Sequence, residues 1–241
     1  MQGAATSAAS SWPPILVWQG ASSPGHRARR AAKITAVDDV ADLVARCQSG
    51  NPDAFRQLFQ RHRDDVARLV YRMTGASHEL EDLIQEVFLQ VHKSIGDFRG
   101  DARFTTWLYR LTVNVVLMHR RSAKSRPQLV AEALAAAPKD AHPLPDEQVA
   151  RRRRMSAFTR LVERLSEKKR TVFILHELEG LPPSEIAKIV GAPVLTARTR
   201  LFYARRELTS MLREEPALAG LASGGKGELD VVTQVARGES T

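Results

Sequence analysis

Leu181–Glu207 reads LPPSEIAKIVGAPVLTARTRLFYARRE. Ile186, Ile189 and Val190 recur at helical spacing within Ser184–Val190, which predicts a short helix with one apolar face. Pro183 falls just inside its start, where a missing N–H has no intrahelical partner to lose. Gly191-Ala192-Pro193 then breaks the pattern, and a glycine there supplies the positive φ that ends a helix abruptly. A second helix runs from about Val194 and carries Thr196, Arg198, Thr199, Arg200, Arg205 and Arg206. Short helix, glycine turn and arginine-rich helix make a helix-turn-helix, whose second helix fits the major groove of a DNA duplex. There an arginine can hold a guanine edge in bidentate fashion while neighbouring Arg and Thr hold phosphates. Thr196, Arg198, Thr199, Arg200 and Arg205 are therefore the candidate duplex contacts.

Charge supports this outward from the motif. Residues 151–213 hold 15 Lys/Arg against 6 Asp/Glu, whereas residues 38–121 hold 12 of each. One half is strongly basic, as a polyanion-binding module requires, and the other is balanced. The run Arg151–Arg154 adds to the field but reads more simply as a solvated cluster than as a reading element. Cys47 is the only cysteine, so no internal disulfide can form and a Cys-based metal site is not expected. The histidines at 26, 62, 78, 92, 119, 142 and 176 show no ligand spacing, and His62, His92 and His176 read as ordinary polar helix residues. No phosphate loop or nucleophile motif is present, so no cofactor and no catalysis are expected. No apolar run approaches a membrane span, and the patch Pro14–Trp18 lacks the preceding Lys or Arg of a secretory signal. The expectation is a cytoplasmic protein with no membrane insertion.

The remainder is helical too. Phe55, Leu58, Phe59, Val66, Leu69, Val70 and Met73 step by threes and fours, and Leu80, Leu83, Ile84, Val87, Phe88 and Val91 repeat the period. Gly75 and Ala76 separate the two runs. Ser94–Asp101 reads as a loop, followed by a helix with Thr105 at its N-cap and Leu108, Leu111, Val115 and Met118 facing inward. The fold class expected is all-α, with two small helical domains joined by a flexible linker. The boundaries are a disordered arm over 1–37, a first domain over 38–121, a linker over 122–155 with a short helix near Leu129–Ala136, the helix-turn-helix domain over 156–213, and a flexible tail over 214–241.

Two blocks of the chain carry a family resemblance. The first is Ala54-Phe55, Leu58-Phe59, Glu81-Asp82-Leu83-Ile84-Gln85-Glu86-Val87-Phe88, Phe98-Arg99-Gly100-Asp101 and Thr106-Trp107-Leu108-Tyr109-Arg110-Leu111 with Asn114. The second is Leu165-Ser166, Arg170, Leu178-Glu179-Gly180-Leu181, Glu185-Ile186-Ala187 and Thr196 through Arg205. They resemble the second and fourth regions of extracytoplasmic-function (ECF) sigma factors, in the family's order. The resemblance implies that the helix with the Asp-Leu-x-Gln-Glu pattern grips the clamp coiled coil of the polymerase largest subunit. Leu83, Ile84, Val87 and Phe88 point inward, so Asp82, Gln85 and Glu86 form the outward docking stripe. It also implies a contact with the polymerase flap.

The resemblance further makes the Phe98–Trp107 segment and the next helix the reader of the −10 promoter element, and the helix-turn-helix the reader of the −35 element. Holding open DNA needs cations for the backbone and aromatic faces or pockets for unpaired bases. Phe98, Arg99, Arg103, Trp107, Arg110, Asn114 and Arg121 are the candidates. Phe98 with Asn114 is favoured for a base pocket, and Phe104 and Trp107 lean towards core packing. Partners expected are thus core RNA polymerase, promoter DNA in single- and double-stranded form, and an anti-sigma factor. The family often has Gly where Leu195 stands, Val at Ala197 and Arg at Tyr203, which implies an unusual −35 preference. The alternative is a helix-turn-helix regulator with an N-terminal sensing or dimerisation module.

Overall fold

Helix α1, Val37–Gln48, buries Leu43, Val44 and Cys47 on one side. Helix α2, Pro52–Thr74, is started by Asn51, whose side-chain oxygen accepts from the N–H groups of Asp53 and Ala54 at 3.0 Å each, with Pro52 in the first turn. Its buried stripe is Ala54, Leu58, His62, Val66, Leu69, Val70 and Met73. Helix α3, Leu80–Ser94, buries Leu83, Ile84, Val87, Phe88 and Val91 and runs into a 3-10 turn at Ile95–Asp97. Helix α4, Phe104–Ser125, packs on both α2 and α3. Each fully buried Leu or Ile here contributes about 1.5–3 kcal/mol through removal from water.

The second module begins with α5, Asp146–Arg164, which starts inside the stretch expected to be linker. Helix α6, Glu167–Phe173, continues into a π turn at Ile174–Leu178. Helix α7, Pro183–Val190, and α8, Val194–Glu214, are the two arms of the helix-turn-helix. Gly191 joins them at φ 61°, left-handed backbone that a Cβ would strain. Helices α5, α6 and α7 all pack on α8. The computed structural model describes residues 37–75, 79–125, 146–215, 218 and 233. The arm over 1–36 and the short helix expected near Leu129–Ala136 lie outside the described residues. The class is all-α, in two helical modules, and the residues from Val40 onward cluster as one unit. Within the stretch expected to be a loose tail, Leu218 and Thr233 are buried.

Three local expectations are corrected. Helix α4 starts one residue before Thr105, and Arg103 caps it instead, its carbonyl accepting from Thr106 and Trp107. Met118 is 67% exposed, and the buried set of α4 is instead Phe104, Thr106, Leu108, Tyr109, Thr112, Val113, Val115 and Val116. This helix buries two stripes because α7 packs on it as well as α2 and α3. His62 is more than an ordinary polar helix residue: it is buried, its ring lies 5.3 Å from that of Phe104, and neither ring nitrogen is hydrogen-bonded.

Burial pushes the His62 imidazole below its usual value, opposed by the Asp65 carboxylate at 4.0 Å and reinforced by Arg61. The folded state therefore disfavours its protonation relative to the unfolded chain, which protonates it near pH 6.5. The stability it confers is complete above that pH and falls as pH drops below it, by at most about 1.4 kcal/mol per pH unit. Urea midpoints measured on either side of pH 6.5 should fall on acidification, and His62→Leu should flatten that fall. An equal fall in the variant would assign the acid sensitivity to other groups.

Candidate nucleic-acid interface

On α3 Leu83, Ile84, Val87, Phe88 and Val91 turn inward, which leaves Glu81, Asp82, Gln85 and Glu86 exposed along the opposite side, with Leu89 exposed one turn further on. Gln90 donates to Glu86 at 2.9 Å one turn on, and Arg63 forks onto Glu81 at 2.8 and 2.9 Å. Asp82, Gln85 and Glu86 thus form a polar ridge on a helix whose other face anchors the core.

The loop after the 3-10 turn is held from a distance. The Gln48 side chain donates to the carbonyls of Ile95 at 3.0 Å and Phe98 at 2.8 Å. No sequence signal marks Gln48, because the contact spans about fifty positions. Phe98 is half-buried, edge-on to Phe104 with centroids 5.7 Å apart and 5.2 Å from Trp107; Phe104 and Trp107 are 5.6 Å apart. The three rings form one cluster, in which Phe104 is core and Phe98 and Trp107 keep some surface. Arg99, Arg103, Arg110, Asn114 and Arg121 are exposed around it and along α4.

On α8, Ala197, Leu201, Ala204 and Leu208 are buried, so Arg198 and Thr199 point out while Thr196 and Arg200 lie at the edges. Arg205 is paired within the module. Its guanidinium forks onto Glu177, with Nε 2.6 Å and Nη2 2.5 Å from the same carboxylate oxygen, and Glu177 is buried. The pair braces the π turn against α8. Among the described residues no cluster of His, Cys, Asp and Glu could hold a metal ion, and no helix is long and apolar enough to cross a membrane.

The model of sigma-70 region 2 matches residues 58–126, and that of sigma-70 region 4 matches residues 155–208. Over 179 residues the chain is 32% identical to the RNA polymerase sigma-H factor of Pseudomonas aeruginosa, covering 71% of this chain and 92% of that one. The chain belongs to the sigma-70 family of RNA polymerase sigma factors, in its ECF branch. It is 34% identical to the ECF sigma-E factor of Escherichia coli and 30% identical to SigW of Bacillus subtilis, covering 93% and 95% of those chains. Among solved structures, CnrH, in complex with the cytosolic domain of CnrY, shares the fold at TM-score 0.55 and 24% identity, covering 72% of this chain and 96% of that one. RpoE of Bartonella quintana, solved with the anti-sigma factor NepR, does so at 0.51 and 19%, covering 66% and 96%. A sigma factor is a non-catalytic subunit of the transcription machinery, so the region 2 match replaces the alternative of a sensing or dimerising module.

The two regions of this sigma factor meet across a buried ionic cluster. Glu179, at the end of the π turn in region 4, has a side chain only 3% exposed. Arg72 of α2 reaches it at 2.7 Å and also donates to the Leu178 carbonyl; Arg68 lies at 3.5 Å and the Tyr109 hydroxyl at 3.4 Å. Burial, and then the Glu179 carboxylate, push the Tyr109 phenol upward, so it remains the proton donor of the set. At the rim, Arg103 pairs with Glu185 at 3.7 Å and Arg121 with Glu167 at 3.4 Å. These rim pairs are solvated and worth at most about 1 kcal/mol each. The buried Glu179 set is the stronger tie.

Proposed function

We propose that this sigma factor grips core RNA polymerase through Asp82, Gln85 and Glu86, and delivers it to promoters read at two separate elements. Arg99, Arg103, Arg110, Asn114 and Arg121 hold the opened −10 strand beside the Phe98–Trp107 surface. Thr196, Arg198, Thr199 and Arg200 contact the paired −35 element, while Arg205 acts through its brace on Glu177. The observation that carries this is the presence of both family regions in one chain, each turning its candidate residues outward from a packed apolar core. Either DNA contact alone would be weak. Mounting both on the polymerase makes the second contact intramolecular and raises its effective concentration.

A protein that covers these faces, an anti-sigma factor, is the other partner. The likeness to RpoE, solved with the anti-sigma factor NepR, and to CnrH, solved with the cytosolic domain of CnrY, supports that reading.

Reconstitution tests the whole. Core polymerase with the purified chain should begin transcripts at a defined start, and neither should do so alone. Tight duplex binding by the chain, with no initiation when core is added, would instead favour an operator-binding regulator. Within the −35 contact, Arg198→Ala should cost roughly 1–3 kcal/mol at one base position if the guanidinium reads a base edge. A uniform loss over all sequences would make it a phosphate contact.

A further inference from the structure

Helix α8 shows a face that its arginines do not explain. Leu195 is 74% exposed and Phe202 60% exposed. With Arg198 and Thr199 they stand at steps of three, four and seven, so all four share one outward stripe, away from buried Ala197, Leu201 and Ala204. Thr199 donates its hydroxyl proton to the Leu195 carbonyl at 2.9 Å, so it has no proton left for a base edge and offers its methyl group and lone pairs. Phe202 is steadied by Tyr203, edge-on at 5.4 Å. The stripe is therefore apolar, apart from one guanidinium.

A solitary exposed Leu needs no explanation, but an apolar stripe on the helix that follows the Gly191 turn faces one particular surface. In the major groove the apolar feature is the 5-methyl group of thymine. Seven residues of helix advance about 10 Å, which is about three base-pair steps.

Resting on the assignment of α8 as the duplex-reading helix, we propose that Leu195 is a specificity determinant that selects a thymine through its 5-methyl group. Thr199 and Phe202 extend this apolar reading across about three base pairs, on either side of the guanine contacted by Arg198. The methyl contact is non-directional and needs only close packing. It discriminates thymine from cytosine, which lacks the methyl and presents a donor that an apolar side chain leaves unpaired.

The test isolates one methyl group at a time. Holoenzyme made from core polymerase and the full chain selects from a pool of duplexes randomised across the −35 position. The pool is prepared twice, with thymidine and with deoxyuridine, which pair alike and differ only in that methyl. The thymidine pool should yield a consensus with thymines flanking a guanine, and each matching deoxyuridine replacement should weaken binding about fourfold. Leu195→Ala, on a surface site that leaves the helix intact by circular dichroism, should lose the thymine preference at one position and keep the guanine. Equal selection from both pools, or full thymine preference in Leu195→Ala, would overturn the proposal while leaving α8 as the reader. No sequence selected from either pool would remove the assignment of α8 itself, and the proposal with it.

Discussion

Glu179→Ala is expected to lower the stability of the full chain by about 3 kcal/mol and to split one unfolding transition into two. The magnitude follows from what the deletion leaves behind. Arg72 is nearly buried, and its guanidinium would keep only the Leu178 carbonyl. The Tyr109 hydroxyl, itself in a buried residue, would lose its acceptor. An orphaned buried cation costs more than the intact pair returns, which places the effect near the low end for broken buried pairs because Arg68 is still partly solvated. The rim pairs cannot compensate, since each is solvated. Urea unfolding of a chain that also carries Trp12→Phe and Trp18→Phe, followed by tryptophan fluorescence and by circular dichroism, would check this: Trp107 is then the one tryptophan and reports on region 2, whereas helicity reports on both regions. Coincident curves at the native midpoint would show that apolar packing between α4 and α7 holds the regions together without the ionic cluster.

The second large effect is expected at the opposite surface. The double substitution Gln85→Ala with Glu86→Ala should weaken binding to core polymerase by roughly 3 kcal/mol, a little over a hundredfold in Kd, as for two truncations within one hot spot. Stability should barely change, because both side chains are exposed and the inward face of Leu83, Ile84, Val87 and Phe88 is untouched. Alanine also favours helix, so α3 should persist. The measurement is a titration of core polymerase with labelled chain, beside a urea melt of the same variant. Unchanged affinity would remove the docking assignment from this ridge. Lost affinity together with a lowered melt would mean that the substitutions act through folding.

How far the chain could be read before its structure was known depended on the range of each signal. The helices, the Pro183 start, the Gly191 stop and the inward face of α3 follow from residues at most one or two turns apart, and such local patterns are legible directly. Motif order along the chain carried the family in the same way. The exposed ridge of Asp82, Gln85 and Glu86 was equally open to inspection, since a helix that commits one face to the core must present the other.

What tertiary structure alone decided lies at longer range. His62 sits in an otherwise polar run, Arg61-His62-Arg63-Asp64-Asp65, yet α2 turns it against Phe104. Arg205 resembles its arginine neighbours until Glu177, 28 positions earlier, claims it. Gln48 pins a loop, and Glu179 ties region 4 to Arg68, Arg72 and Tyr109 across 70 or more positions. Periodicity tells which side of a helix is apolar. It carries no record of which distant charge will be desolvated with which partner, because that choice is made only when the packed faces meet and exclude water.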